Sequence, residues 1–166
     1  MTRRAVAGAS AVLLALSVAA ACDGGAEPAT LTDARESVES LVPQLQKAFA
    51  LGEDVQWSGP DREKLAAGDD GTCQWRPGRW SIPLQLEEGD PSWSDRRERV
   101  NEVLAEHGLP EVGEPEYTGG AAYGFETDGP TGGRLRIDSW EGDSTIYLHS
   151  RSVEVDGPRD DSALTG

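Results

Sequence analysis

The chain has 166 residues, with 30 acidic against 15 basic side chains and a formal net charge of −15. That balance excludes nucleic acid as a partner, because binding it needs a basic face, and an anionic bilayer surface repels such a chain. The length supports one domain with a core of its own.

The first stretch sets the location. Arg3 and Arg4 precede an uncharged apolar run from Ala5 to Ala21, which ends in Ala19, Ala20 and Ala21 and is followed at once by Cys22. This is the order of a bacterial secretory signal peptide, with the cysteine placed as in a lipoprotein signal. Residues 1–21 are therefore expected to be removed, with a lipid attached at Cys22 as the new N-terminus. Ala19-Ala20-Ala21 also satisfies the small-residue rule of ordinary secretion, which would release the chain without lipid. The third alternative is that the apolar run is retained as an anchor, and Gly8, Ser10 and Ser17 make it a poor spanning helix. Thr2-Arg3-Arg4 resembles a twin-arginine export signal. Removal of residues 1–21 leaves 145 residues and takes the net charge to −17, so the lipid and not the protein surface must hold the membrane.

Residues 22–29 read as a flexible linker, kept irregular by Gly24, Gly25 and Pro28. One domain then spans 30–157. Its first helix runs from about Thr30 to Leu51, capped by Thr32, with Ala34, Val38, Leu41, Leu45, Ala48 and Phe49 on one stripe. Pro43 should kink or split it, and Gly52 ends it. Val55-Gln56-Trp57 reads as a short strand. Residues 59–71 read as a loop with one helical turn at 62–67. Cys73-Gln74-Trp75 opens another strand, and Pro77-Gly78 is a turn. Trp80, Ile82, Leu84 and Leu86 alternate with polar residues, which predicts a half-buried strand, and Pro83 puts it at an edge or a bulge.

The second helix is expected from Ser92 to His107, capped by Asp90 or Ser92, with Trp93, Val100, Val103 and Leu104 as its apolar face. From Glu114 the pattern turns to strands. Ala121, Tyr123 and Phe125 alternate, then Leu135 and Ile137, then Ile146 and Leu148, separated by turns at 128–133 and 141–143. Val153 and Val155 extend the last strand, and 158–166 is a polar tail expected to be disordered. The fold class is α+β: a two-layer sandwich with two main helices packed on one face of a mainly antiparallel sheet.

These features together resemble the LppA-like lipoproteins of actinobacterial cell envelopes. The matching features are the lipid signal at Cys22, a first helix followed by Val55-Gln56-Trp57, Cys73 after a loop, a second helix ending near His107-Gly108, and the late strand meander. Family members carry a second cysteine in the late strands. Residues 141–150 hold none here, so the resemblance implies no disulfide for Cys73. It implies location and fold, and no reaction.

Chemistry-bearing constellations are sparse. His107 and His149 lack a cysteine or second histidine at ligand spacing, so no metal site is expected. Acidic pairs stand at Glu53-Asp54, Asp69-Asp70, Glu87-Glu88 with Asp90, and Asp160-Asp161, all in turns. Gly68-Asp69-Asp70-Gly71 lacks the alternating oxygen ligands and terminal Glu of a calcium loop. No nucleophile elbow, phosphate-binding loop, dinucleotide fingerprint or identifiable triad occurs, so neither an enzyme nor a cofactor is expected. Five tryptophans remain. Trp80 and Trp93 fall on faces expected to be buried, whereas Trp57, Trp75 and Trp140 are candidates for a surface that stacks on a sugar or small molecule. The expected function is an envelope-anchored, non-enzymatic binding or interaction module on the outer face of the plasma membrane. The alternative is a glycan- or small-molecule-binding lipoprotein using those surface tryptophans.

Overall fold

The computed structural model describes residues 30–61, 63–67, 73–128, 133–149 and 152–154. The signal segment, the linker with Cys22, the Asp69-Asp70 loop, Val155 and the tail lie outside the described residues. The elements in order are α1 (Leu31–Ala50), β1 (Lys64–Ala67), β2 (Cys73–Arg76), β3 (Gly78–Ile82), α2 (Ser92–Glu106), β4 (Glu116–Gly119), β5 (Ala122–Asp128), β6 (Arg134–Trp140), β7 (Asp143–His149) and β8 (Ser152–Val153).

Helix α1 begins two residues earlier than Thr32 would place it. Thr30 is the cap, its hydroxyl accepting from the Asp33 amide at 3.1 Å. Pro43 does not break the helix. It sits on the exposed side, as does Glu39, whose carbonyl loses its helical partner to the proline. Helix α2 starts at Ser92 with Pro91 at the cap position and no side-chain cap, so neither Asp90 nor Ser92 caps it; the Asp90 carboxylate instead accepts from the amide and the hydroxyl of Ser92 at 2.8 and 2.7 Å.

The main sheet has five antiparallel strands in the order β3-β7-β6-β5-β4. Both helices pack on one of its faces, as the α+β sandwich requires, through a core that joins Leu45, Phe49, Val100, Leu104, Phe125, Ile137 and Ile146. Phe49, Trp93 and Phe125 meet edge-on or tilted, with ring centroids 5.6 to 6.4 Å apart, and so tie α1, α2 and β5 together.

A second sheet, β1-β2-β8, was not anticipated. Only Pro77 separates β2 from β3, and its missing amide ends one ladder before the next begins. The segment read as a helical turn at 62–67 is instead β1 from Lys64, paired to β2 from Lys64↔Arg76 to Ala67↔Cys73. Its helix-forming residues are overridden by the open edge of β2. Val153 leaves β7 and pairs with Cys73.

Two expected strands are shorter than their hydrophobic pattern. Val55-Gln56-Trp57 is unpaired, and only Ser58 bridges to Ser81. Strand β3 lies at the sheet edge and stops at Ile82, before Pro83. Beyond it, buried serines replace the ladder: Ser144 donates to the Leu84 carbonyl at 2.5 Å, and Ser139 accepts from the Leu86 amide at 2.8 Å. Leu86 thus stays buried without being in a strand.

Two positions hold the layers together. Arg96 on α2 is 2% exposed; its guanidinium donates to the Phe49 carbonyl, pairs with Glu53 at 2.6 Å and lies 5.0 Å from the Phe49 ring centroid. It satisfies a carbonyl at the end of α1 that has no helical partner, where the helix dipole also favours a cation. Gly124 on β5 lies so close to β6 that a Cβ there would sit 2.6 Å from Asp138 Cα and still nearer the Ile137 carbonyl oxygen.

Arg96→Met, which keeps the stem but leaves the carbonyl and Glu53 unpaired, should lower stability by on the order of 3 kcal/mol in urea unfolding, with the slope unchanged. Gly124→Ala should lower it by about 3 kcal/mol, since backbone must move to admit a methyl group. An alanine variant as stable as the parent would show that β5 and β6 can separate freely.

Candidate functional site

The face of the main sheet opposite the helices carries the even-numbered positions of β6 and the odd-numbered positions of β3 and β7. The register lays Arg79, Tyr147 and Arg136 in one row across three strands, and Ser81, Thr145 and Asp138 in the next. Together with residues of β1, β2 and the Gly119-Gly120 turn, they line an open cleft of about 980 Å³. Its floor is polar and paired. Asp138 accepts from Thr145 at 2.6 Å, from Thr118 at 3.3 Å and from Arg136. Arg79 lies 3.4 Å from Asp61. Trp140, 54% exposed, stands at the far end beside Glu141 and Asp143.

The near end is cationic. Lys64 and Arg76 face each other across the β1–β2 pair, and both line the cleft with Arg79 and Arg136. Of these, Arg76 acts on His149 at the end of β7, whose ring lies 4.3 Å from that of Tyr147. Burial, and then the positive charges of Arg76 and Arg134, hold its imidazole below the ordinary value of 6.5.

The structure sorts the three candidate tryptophans. Trp140 is exposed on the cleft. Trp75 is not a surface residue: it is 3% exposed, and its indole N–H donates to Glu63. Trp57 is half-buried against Phe49 at 6.3 Å. Trp80 and Trp93 are in the core, as expected. The four cations were missed, since nothing in the sequence spacing of residues 64, 76, 79 and 136 signals a shared surface. The described acidic pairs have structural duties: Glu53 pairs with Arg96, Asp90 accepts from the amide and hydroxyl of Ser92 at the start of α2, and Glu88 accepts from the Tyr117 hydroxyl at 2.8 Å.

A second, mostly apolar groove of about 580 Å³ runs between α1, the end of α2 and the sheet, beside Val38, Leu41, Leu104 and Leu148. Both histidines line it, and His107 lies 3.0 Å from the Gln44 amide. Among the described residues, no group of three metal-ligating side chains occurs, and no helix is long and apolar enough to cross a membrane. Cys73 is half-buried and free.

No protein-family model matches the chain, and no curated protein matches it. A solved structure described as a DUF4853 family protein from Actinomyces odontolyticus is similar, with a TM-score of 0.53 at 15% identity over 81% of this chain and 75% of that one. The likeness is one of fold.

Because the folded chain binds the His149 proton less tightly than the unfolded one, the contribution of this group to stability is complete above pH 6.5 and is lost as the pH falls through the folded value. NMR titration of the His149 ring should give a midpoint below 6.5, and Arg76→Gln should raise it toward that value. An unmoved midpoint would mean that the Arg76 charge does not reach His149.

Proposed function

We propose that the protein is an exported lipoprotein, anchored through a lipid at Cys22, that acts as a non-enzymatic binding module on the outer face of the plasma membrane. The observation that carries the binding role is the sheet face that neither of the described helices covers. Four cationic side chains, Tyr147 and an exposed Trp140 share one cleft in a chain with twice as many acidic as basic residues. The resemblance to LppA-like lipoproteins supports the same location. Residues 22–29 serve as a tether that reaches at most about 28 Å, enough to lift the domain clear of an anionic surface that repels it. The partner is an envelope protein or a glycan, and the exposure of Trp140 favours the glycan.

Each buried methylene contributes about 0.8 kcal/mol, so a diacyl anchor holds firmly with no help from the protein surface. Cys22→Ala should therefore shift the protein from the membrane fraction to the medium, or leave an unprocessed precursor. Mass spectrometry of the native N-terminal peptide should find a lipid-modified cysteine. A bare Cys22 thiol, or a disulfide between Cys22 and Cys73, would replace anchoring with simple secretion.

A further inference from the structure

The cationic end of the cleft contains an arrangement that the fold alone does not explain. Lys64 and Arg76 are directly opposed across an antiparallel pair, where like charges destabilise. Both are exposed, and among the described residues no carboxylate lies within ion-pairing distance of either. Arg79 sits three residues beyond Arg76, after the Pro77 break, and half of its side chain is solvent-accessible despite Asp61. An anion bridging these groups would remove the repulsion. Arginine presents a planar fork of donors matched to carboxylate and phosphate.

The rest of the cleft indicates what carries that anion. Trp140 lies four residues along β6 from Arg136, about 13 Å at the strand rise, so a ligand touching both ends is longer than one sugar ring. Its side chain is exposed, and aromatic faces stack on the C–H faces of sugars. Between the ends, Ser81, Thr145 and Tyr147 offer hydroxyl groups to a polyhydroxylated chain. The rim at Gly119 and Gly120 has no side chain to obstruct entry. Glu141 and Asp143 beside Trp140 disfavour negative charge at that end, so the anionic group belongs at the Lys64 end and a neutral ring at the Trp140 end. A long polyanion is repelled by a chain of net charge −15, whereas a short one is held locally.

We infer that this cleft binds a short acidic oligosaccharide, with its carboxylate or phosphate held by Lys64, Arg76 and Arg79 and a neutral ring stacked on Trp140. The inference rests on the reading of the domain as a binding module and names the class of its ligand.

The test is calorimetric titration of the full-length protein in neutral detergent, with tryptophan fluorescence in parallel. Four probes separate the chemistry: tetragalacturonate for a carboxylate sugar, a phosphorylated oligomannose for a phosphate sugar, chitotetraose as a neutral sugar, and hexaglutamate as an acidic peptide. At least one of the first two should bind, with an affinity that falls as salt rises. Arg76→Ala and Trp140→Ala should each weaken it by about tenfold, and Lys64→Gln should weaken it in the same direction. All three positions are exposed, and unchanged circular dichroism verifies that the variants fold. Equal binding of chitotetraose would overturn the anionic requirement. Binding of hexaglutamate alone, unaffected by Trp140→Ala, would replace the sugar with an acidic protein partner and leave the binding-module reading standing. Absence of binding by all four probes at millimolar concentration would overturn the inference, while membrane fractionation of Cys22→Ala independently judges the anchor.

Discussion

Arg96 is the point on which the two layers depend. It is a cation inside the core, and it is tolerable there only because each of its needs is met. The end of α1 supplies a carbonyl and the negative end of a dipole, Glu53 supplies the counter-charge from the turn that follows, and the Phe49 ring supplies a π face. The arrangement fixes α2 against the last turn of α1, and that turn presents Phe49 to Trp93 and Phe125. The aromatic cluster then sets how the helix layer sits on β5.

A sheet covered on one side only has two different faces, and the sequence of each strand alternates accordingly. Toward the helices stand Ile146, Leu148, Ile137 and Phe125. Toward solvent stand Arg79, Thr145, Tyr147, Arg136 and Asp138. The close approach of β5 and β6 at Gly124 brings the Asp138 carboxylate into the hydroxyl cluster of Thr118 and Thr145. That places a hydrogen-bonded floor under a cleft whose exposed groups include Lys64, Arg76 and Trp140. Rigid floors with a few adaptable polar and aromatic groups are what recognition of a flexible polar ligand requires.

The proposed division of labour between a lipid anchor and the domain would follow from charge. A chain of net charge −15 gains nothing from an anionic bilayer, so a lipid and a tether suit it better than a basic docking patch. Four of its cations gather in one cleft, two of them, Arg79 and Arg136, beside the carboxylates of Asp61 and Asp138.

What the sequence by itself determined was whatever is written in local periodicity. Both helices, the three-stranded meander of β5, β6 and β7, and the burial of Trp80 and Trp93 follow from repeats of 3.6 and 2, because a buried face imposes its period on the chain that forms it. The signal-like run before Cys22 is equally local. Tertiary structure alone decided the rest. Lys-Leu-Ala-Ala became β1 because β2 had an edge to fill, and no local rule records that edge. Leu84 and Leu86 kept the pattern of a strand without being one, because two serines some 50 to 60 residues away supply the bonds. Trp57, Trp75 and Trp140 were equivalent in sequence, and only neighbouring elements separated a buried, a half-buried and an exposed indole. The cleft was illegible for the same reason. Lys64, Arg76, Arg79 and Arg136 come from four strands, and strand register, a long-range property of the backbone, is what brings their charges onto one surface.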